Sequence, residues 1–558
     1  MKHVFTTCLL SLLTFAVFSQ SIEWAPNTVN PKGNNPRSVL QFPYNPGKEY
    51  YILESDIGDA VVRSKQSNYI QTVDPATFSI TGDANVNPIV PDGKGKDYYA
   101  GPSFILKNKL YSFYLDGDGD DVYTIYSTVQ QTKDGSTIKA FEPFQKSDIS
   151  KSRIRDIGFI GLAAKREKRN VDLMFAMESY KIAPAYDGRS IISAFITKTE
   201  DDNNSILTIS EWDENLKATT TQDHKILYKK GKASGTYRDP HIEKVVKDKN
   251  GFVYVIARPC ADEGAPERYA VYQFKLSDPA YSKVYSKEFT KGFKVIDIDF
   301  FQDASGKVFL STVGFQGDED SDEGFYVNAA FIGSFNDAGQ LETIFNRPLT
   351  TDMMYNFESE KTVDKKGAVN TLRIRDILPT SAGGCYIVWQ YEWIQSKDNG
   401  RGESRSTYMQ DHILVQYYNK EKKLAWQKPL SKHQATKDGI SGAYSGYKAV
   451  LLNDDLHIFY PDDKKNATRA PEDKDVSTFS VVQFGDKDLA GIVSATFTMS
   501  GTATRSYVAW PEDKVGYAFI PRSIKYIGNN EFIAAARKVK QGALFLKAEQ
   551  YVFLRFKF

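Results

Sequence analysis

Arginine and aspartate stand side by side at Arg155-Asp156, Arg238-Asp239 and Arg375-Asp376, and Asp297 holds the matching place before another apolar run. A guanidinium grips a carboxylate or phosphate through two parallel hydrogen bonds. A ring of such pairs could therefore hold an anionic or zwitterionic ligand. It could equally serve as ion pairing between neighbouring structural units, and the residues alone leave both uses open.

A second candidate is an acidic loop. Asp116, Asp118, Asp120 and Asp121, interleaved with Gly117 and Gly119, place oxygen ligands at alternate positions as calcium prefers. Ser127 stands where an EF-hand carries its closing acid, so a solvated turn competes with the calcium reading. The run from Asp318 to Glu323 is a weaker version. A third constellation is aromatic: Trp389, Tyr391 and Trp393 fall on one face of a strand, whose side chains repeat every two residues. Cys385 and Ile387 share that face, which favours burial between units over stacking on sugar rings.

Other chemistry finds little support. There is no H-E-x-x-H, G-x-S-x-G or phosphate-binding glycine loop. His224, His241, His412, His433 and His457 are scattered singly, whereas a zinc site needs clustered ligands. His457, in an apolar strand, reads as a satisfied core imidazole. The expected cofactors are none, with calcium as the one exception.

The elements that would position these groups recur along the chain. Hairpin units begin at Ser38, Pro102, Arg155, Asp239, Ile296, Arg375, Tyr447 and Pro521, with turns near Gly47, Asn108, Asn170, Gly251, Gly306, Gly383, Asp454 and Asn529. Each turn carries Gly, Asn, Asp or Lys where a short hairpin needs positive φ or local side-chain hydrogen bonds. The strand after the turn, such as Phe252-Val253-Tyr254-Val255-Ile256, is apolar on both faces and so should be buried on both. Third and fourth strands follow most hairpins. Four antiparallel strands per unit, copied radially, make a propeller blade.

The expected fold is therefore all-β, a single β-propeller over residues 38–558 with eight blades, or seven if the first and last units share one. Two rivals are a β-sandwich and an outer-membrane barrel. The barrel is suggested by the alternating tail Tyr551 to Phe558, but transmembrane strands alternate apolar and polar residues, and Phe252 to Ile256 do not. The tail reads instead as the strand closing the ring. Long polar insertions, Gln395 to Thr407 and Pro461 to Val476, are expected as loops between outer strands.

Asp248-Lys249-Asn250-Gly251-Phe252-Val253-Tyr254-Val255 and Asp303-Ala304-Ser305-Gly306-Lys307-Val308-Phe309-Leu310 resemble the hairpin of NHL-type and related bacterial propeller repeats. The other six units keep the turn and lose the Asp or the Gly. The resemblance implies a fold and brings no catalytic residue with it.

Residues 1–21 have a basic start, an apolar run from Cys8 to Phe18 and small residues at Ser19 and Ser21, the shape of a secretory signal. Phe5-Thr6-Thr7 before Cys8 does not fit a lipoprotein signal. The Gln20 junction resembles exported proteins of the Bacteroidota. Residues 22–37, rich in Pro, Gly and Asn, should form an extended arm. Beyond residue 21 no run reaches the ~20 apolar residues of a membrane helix. Of the 71 Lys and Arg only Lys2 lies in the leader, so the remainder balances the 70 Asp and Glu. That neutrality argues against nucleic acid. Cys260 and Cys385 sit at opposite ends of equivalent strands two units apart, beyond the ~7 Å that a disulfide spans.

The function expected from these features is non-catalytic: an exported protein, in the periplasm or at the cell surface of a Gram-negative bacterium, binding a protein partner within an envelope or outer-membrane assembly. The alternatives are a glycan lyase or hydrolase using the Arg and Asp pairs, and a glycan-binding module using Trp389 and Trp393.

Overall fold

The computed structural model describes residues 21–29, 39–42, 44–45, 49–56, 67–86, 98–116, 122–150, 180–201, 204–227, 241–258, 269–285, 294–316, 326–398, 404–437, 445–466, 469–480, 490–508, 517–541 and 546–557. Their strands form eight separate antiparallel blades arranged as a propeller ring. The innermost strands are Val39–Gln41, Tyr98–Leu106, Tyr180–Pro184, His241–Lys247, Lys294–Gln302, Leu372–Pro379, Lys448–Leu452 and Tyr517–Gly528. Neither a sandwich nor a single closed barrel has this pairing. No helix among the described residues is long and apolar enough to cross a membrane.

The doubly apolar second strands explain why the blades stack. In blade 4, Val253, Val255 and Ala257 pack with Ile192 and Leu207 of blade 3. Phe252, Tyr254 and Ile256 point the other way, against Val308 and Leu310 of blade 5. A period of two thus feeds both borders of one blade, and burial of each large apolar side chain contributes roughly 1.5–3 kcal/mol.

The turns follow their sequences. Asp248 Oδ1 accepts from the backbone N–H of Asn250 and Phe252 at 2.8 and 2.9 Å, with Gly251 at φ 81°. Asp303 repeats this with Ser305 and Lys307 at 2.8 and 2.9 Å, and Gly306 is also at φ 81°. The same device closes turns between third and fourth strands at Asp213, Asn336 and Asn419, where the left-handed residues are Leu216, Gly339 and Lys422.

Those outer turns also lock neighbouring blades. Tyr111 of blade 2 donates to the Glu214 carbonyl of blade 3 at 2.7 Å, and Gln222 of blade 3 to the Leu276 carbonyl of blade 4 at 2.9 Å. Gln273 and Tyr285 of blade 4 reach the Gly339 carbonyl of blade 5 at 2.7 and 3.0 Å, and Trp426 of blade 6 reaches Met499 of blade 7 at 2.9 Å. Arg555 of blade 8 donates to the Pro75 and Ala76 carbonyls of blade 1, each at 2.7 Å. Gly339 shows how tight this lock is: at φ 73° an added Cβ would lie 2.5 Å from Gln273 Nε2 and 3.0 Å from the Phe252 ring. Gly339→Ala should therefore cost about 2–3 kcal/mol from strain and a displaced lock, measured as a shifted urea midpoint with an unchanged slope.

Three details differ from the sequence reading. The described strands of blade 3 begin at Tyr180, where Asp187 Oδ1 accepts from the Arg189 backbone N–H at 2.9 Å and Gly188 takes φ 62°, which supplies the hairpin turn after the Tyr180–Pro184 strand; the unit expected from Arg155, with its turn near Asn170, lies outside the described residues. Gln395 to Asp398 are not a loop but the end of the second strand of blade 6, paired in register with Ser404 to Thr407. Pro461 to Asp463 likewise end a second strand, that of blade 7. Finally, the tail Leu546–Lys557 is the third strand of blade 8, and the outermost is Ser21–Trp24, paired Ser21 to Lys557 and Trp24 to Leu554. Ala25 and Val29 continue this seam with backbone bonds to Phe553 and Tyr551, each 2.8 Å.

Where blade 8 meets blade 1, Glu54 and Arg537 are 1% and 0% exposed. Their Oε1 and Nη2 lie 3.2 Å apart, Tyr551 donates to the same Oε1 at 2.5 Å, and the guanidinium sits 5.1 Å over the Tyr551 ring.

Candidate binding site at the mouth of the ring

In every blade the innermost strand starts on the face that also carries the connections from second to third strand and from blade to blade. Near these starts the strand pairing slips by one residue, between Ile242 and Lys244, Val295 and Asp297, and Ile374 and Asp376. Such a bulge re-aims the side chains that flank it. Lys244, Asp297 and Asp376 are the equivalent first residues after the slip in blades 4, 5 and 6.

Each engages the next blade. Lys244 Nζ donates to Asp299 Oδ1 and the Phe300 carbonyl, both at 2.6 Å. Asp297 faces Arg373 and Arg375; burial raises its carboxyl above the usual range while the two guanidinium groups oppose that rise. Asp376 is also raised by burial, opposed by Lys448 and by the Tyr447 hydroxyl of blade 7. Lys525 of blade 8 is pushed down to about 8 by burial and by the like charge of Lys448. Charges thus alternate across the borders of blades 4 to 7 and meet as two lysines at the border of 7 and 8.

Arg375 is held within its own blade. Its Nε donates to Glu392 Oε1 at 3.0 Å and its Nη2 pairs with Oε2. With its amide oriented to satisfy both neighbours, Gln390 donates to Glu392 at 3.1 Å and accepts from Lys432 Nζ at 3.2 Å. Lys432 is wholly buried and also donates to the Gln410 carbonyl at 2.7 Å and Gln434 Oε1 at 2.9 Å; burial lowers it to about 8. The expected site residues therefore divide. The structure brings Asp297, Arg375 and Asp376 to one mouth, while Arg155, Asp156, Arg238 and Asp239 lie outside the described residues. Asp116 ends the Lys109–Asp116 strand, and Asp118, Asp120 and Asp121 lie outside the described residues. Of the cysteines, Cys385 is a buried free thiol and Cys260 lies outside the described residues.

The aromatic row is packing material. Trp389 is 0% exposed and donates to Gln416 Oε1 at 2.8 Å; Tyr391 donates to Glu358 at 2.7 Å. Trp393 is half-buried, with its indole N–H on Asp411 Oδ2 at 2.7 Å. Trp389 is not available to stack on a sugar. His457 is buried too, its Nδ1 3.1 Å from Thr496 Oγ1, and burial lowers it to about 4.

Sequence reasoning missed a buried polar layer under the segment 464–480, which leaves blade 7 and crosses blade 6. Phe479–Ser480 pairs in parallel with Gln434–Lys437, and the Ser431 N–H donates to the Pro471 carbonyl at 2.7 Å. Arg505 Nη2 donates to the Ser431 carbonyl at 2.6 Å, and Lys474 reaches the Tyr355 carbonyl at 2.7 Å in the link between blades 5 and 6. Beneath it Asp462 is 0% exposed; Oδ1 accepts from Asn466 Nδ2 and the Asp463 N–H, each at 2.8 Å, while Oδ2 has no partner. Burial raises Asp462 from 3.8 to about 6. A carboxyl whose folded pKa is raised favours the fold below its unfolded pKa and loses that contribution as pH climbs through about 6. Asp462→Asn should thus gain about 1–3 kcal/mol at pH 7.5 and nothing at pH 4, read from melting curves at the two pH values.

No protein-family model and no curated protein matches this sequence. Solved structures similar to the chain include the β-propeller domain of the Trilobed protease from Pyrococcus furiosus, at 9% identity and TM-score 0.33 over 85% of this chain and 98% of that one. The WD40 domain of SCAP from fission yeast is similar at 8% identity and TM-score 0.34, covering 98% and 96%. Polysaccharide lyase Uly1 is similar at 11% identity and TM-score 0.34, covering 96% and 99%. The propeller is read from the strand pairing itself, and these likenesses carry nothing about activity.

Proposed function

We propose that this chain is a non-catalytic propeller that binds a protein partner, as an exported subunit of a cell-envelope or outer-membrane assembly in a Gram-negative bacterium. What supports this reading is the asymmetry between its two faces. Among the described residues, one carries short turns such as 107–108, 248–251, 453–454 and 529–530. The other carries the described connections 349–371 and 469–480, and long connections on a rigid scaffold are where contacts are made. The mouth charges support a scaffold role as well. Asp297, Arg375 and Asp376 face opposite charges of the same or the next blade, so an incoming anion must displace Glu392 to reach the Arg375 fork.

The test is purification of a tagged chain from envelopes in gentle detergent. A stoichiometric protein partner is expected, lost when 464–489 is shortened and kept when the opposite face is altered at Asp187. A lone monomer with lyase or hydrolase activity would overturn the proposal in favour of the glycan-active alternative.

A further inference from the structure

Beside the buried layer of blade 6 lie two histidines that neither the ring closure nor the proposed partner face uses. His433 Nδ1 is 3.0 Å from Asp411 Oδ1, and Asp411 is 3% exposed with its other oxygen held by Trp393. Both carboxylate oxygens are thus occupied by ring N–H donors. The tautomer of a neutral His433 is thereby set, because Nδ1 carries the proton and Nε2 keeps its lone pair. Nε2 makes no hydrogen bond among the described residues, and the side chain is 26% exposed. His412 lies against it, ring centroids 4.5 Å apart and planes at 67°. His412 Nδ1 is buried without a hydrogen-bond partner.

We propose that His412 and His433 form a binding site for a late divalent transition metal of the zinc class, with Asp411 as the residue that positions His433. Neutral imidazole is the common protein ligand for such ions, and a ligating histidine characteristically gives its other N–H to a carboxylate. Metal–nitrogen bonds of ~2.0–2.1 Å place two ring centroids roughly 4.5–5.5 Å apart, which this pair already satisfies. A buried unpartnered ring nitrogen is the kind of group a bound ion explains. No three ligating side chains converge among the described residues, so two nitrogens come from the chain and the remaining positions fall to water or to an incoming group. Lys432 and Lys474 lie close enough to oppose a cation, while Asp411 supplies the compensating charge.

The test uses the tag-free full chain, stripped with chelator and dialysed against zinc or cobalt(II), with metal content and the cobalt visible spectrum as readouts. One metal per chain is expected. His433→Gln, at a partly exposed position, should abolish uptake, and Asp411→Asn should weaken it about 10–100-fold with circular dichroism unchanged. Lys474→Ala should tighten it. Absence of saturable uptake by the wild-type chain, or uptake unchanged in His433→Gln, overturns the proposal. Neither outcome bears on the envelope partner, which is measured separately.

Discussion

Arg537→Ala is expected to destabilise the protein by about 3–5 kcal/mol, because it leaves the Glu54 carboxylate buried without its counter-charge. Glu54 and Arg537 are almost completely excluded from solvent and sit on opposite sides of the border that joins the last blade to the first. Breaking such a pair costs far more than replacing it, so the double variant Glu54→Met/Arg537→Leu should recover most of the loss. The check is a double-mutant cycle on urea unfolding. A strictly additive result would show that the pair is not coupled across the closing border.

Trp389→Ala should cost a similar amount, about 3–5 kcal/mol. The indole is fully buried at the border of blades 5 and 6, edge-on to Phe345 at 6.4 Å, within a cluster that includes Met353 and Tyr391. Truncation would open a cavity and strand the Gln416 oxygen that its N–H satisfies. Trp389→Phe should lose less, since it keeps most of the volume and forfeits mainly the hydrogen bond. Equal losses for the two variants would contradict this packing role.

Much of the architecture was legible because the physics that builds it is local. Asp248 and Asp303 announce their turns by side-chain caps on the second and fourth following N–H groups, and Gly251 and Gly306 supply the left-handed residue. The second strands announce their burial by being apolar on both faces. The blade-to-blade locks were not legible. Their acceptor is a backbone carbonyl that any residue offers, and their donors are Tyr111, Gln222, Gln273, Tyr285, Trp426 and Arg555, which follow no one type or spacing. The inner strand of blade 3, Tyr180–Pro184, was hidden for a related reason: it is short and lacks a long apolar run.

The mouth of the ring was partly readable. Arg375-Asp376 and Asp297 do converge, because equivalent strand starts meet around one axis. What the sequence hid is that Arg375 turns back to Glu392, seventeen residues on. Asp411 and His433 were equally hidden, being twenty-two residues apart and joined only through the break between Leu424–Leu430 and Gln434–Lys437. Isolated histidines carry no pattern by which such a pair could be found.

The seam between Ser21–Trp24 and Leu546–Lys557 sets how the molecule bears load. Ser21 and Lys557 are opposite each other at the same end of two antiparallel strands. Tension applied at Ser21 and Lys557 would therefore peel the seam one hydrogen bond at a time, not shear all of them together. A tether at Ser21 or Lys557 alone would spare it that peeling.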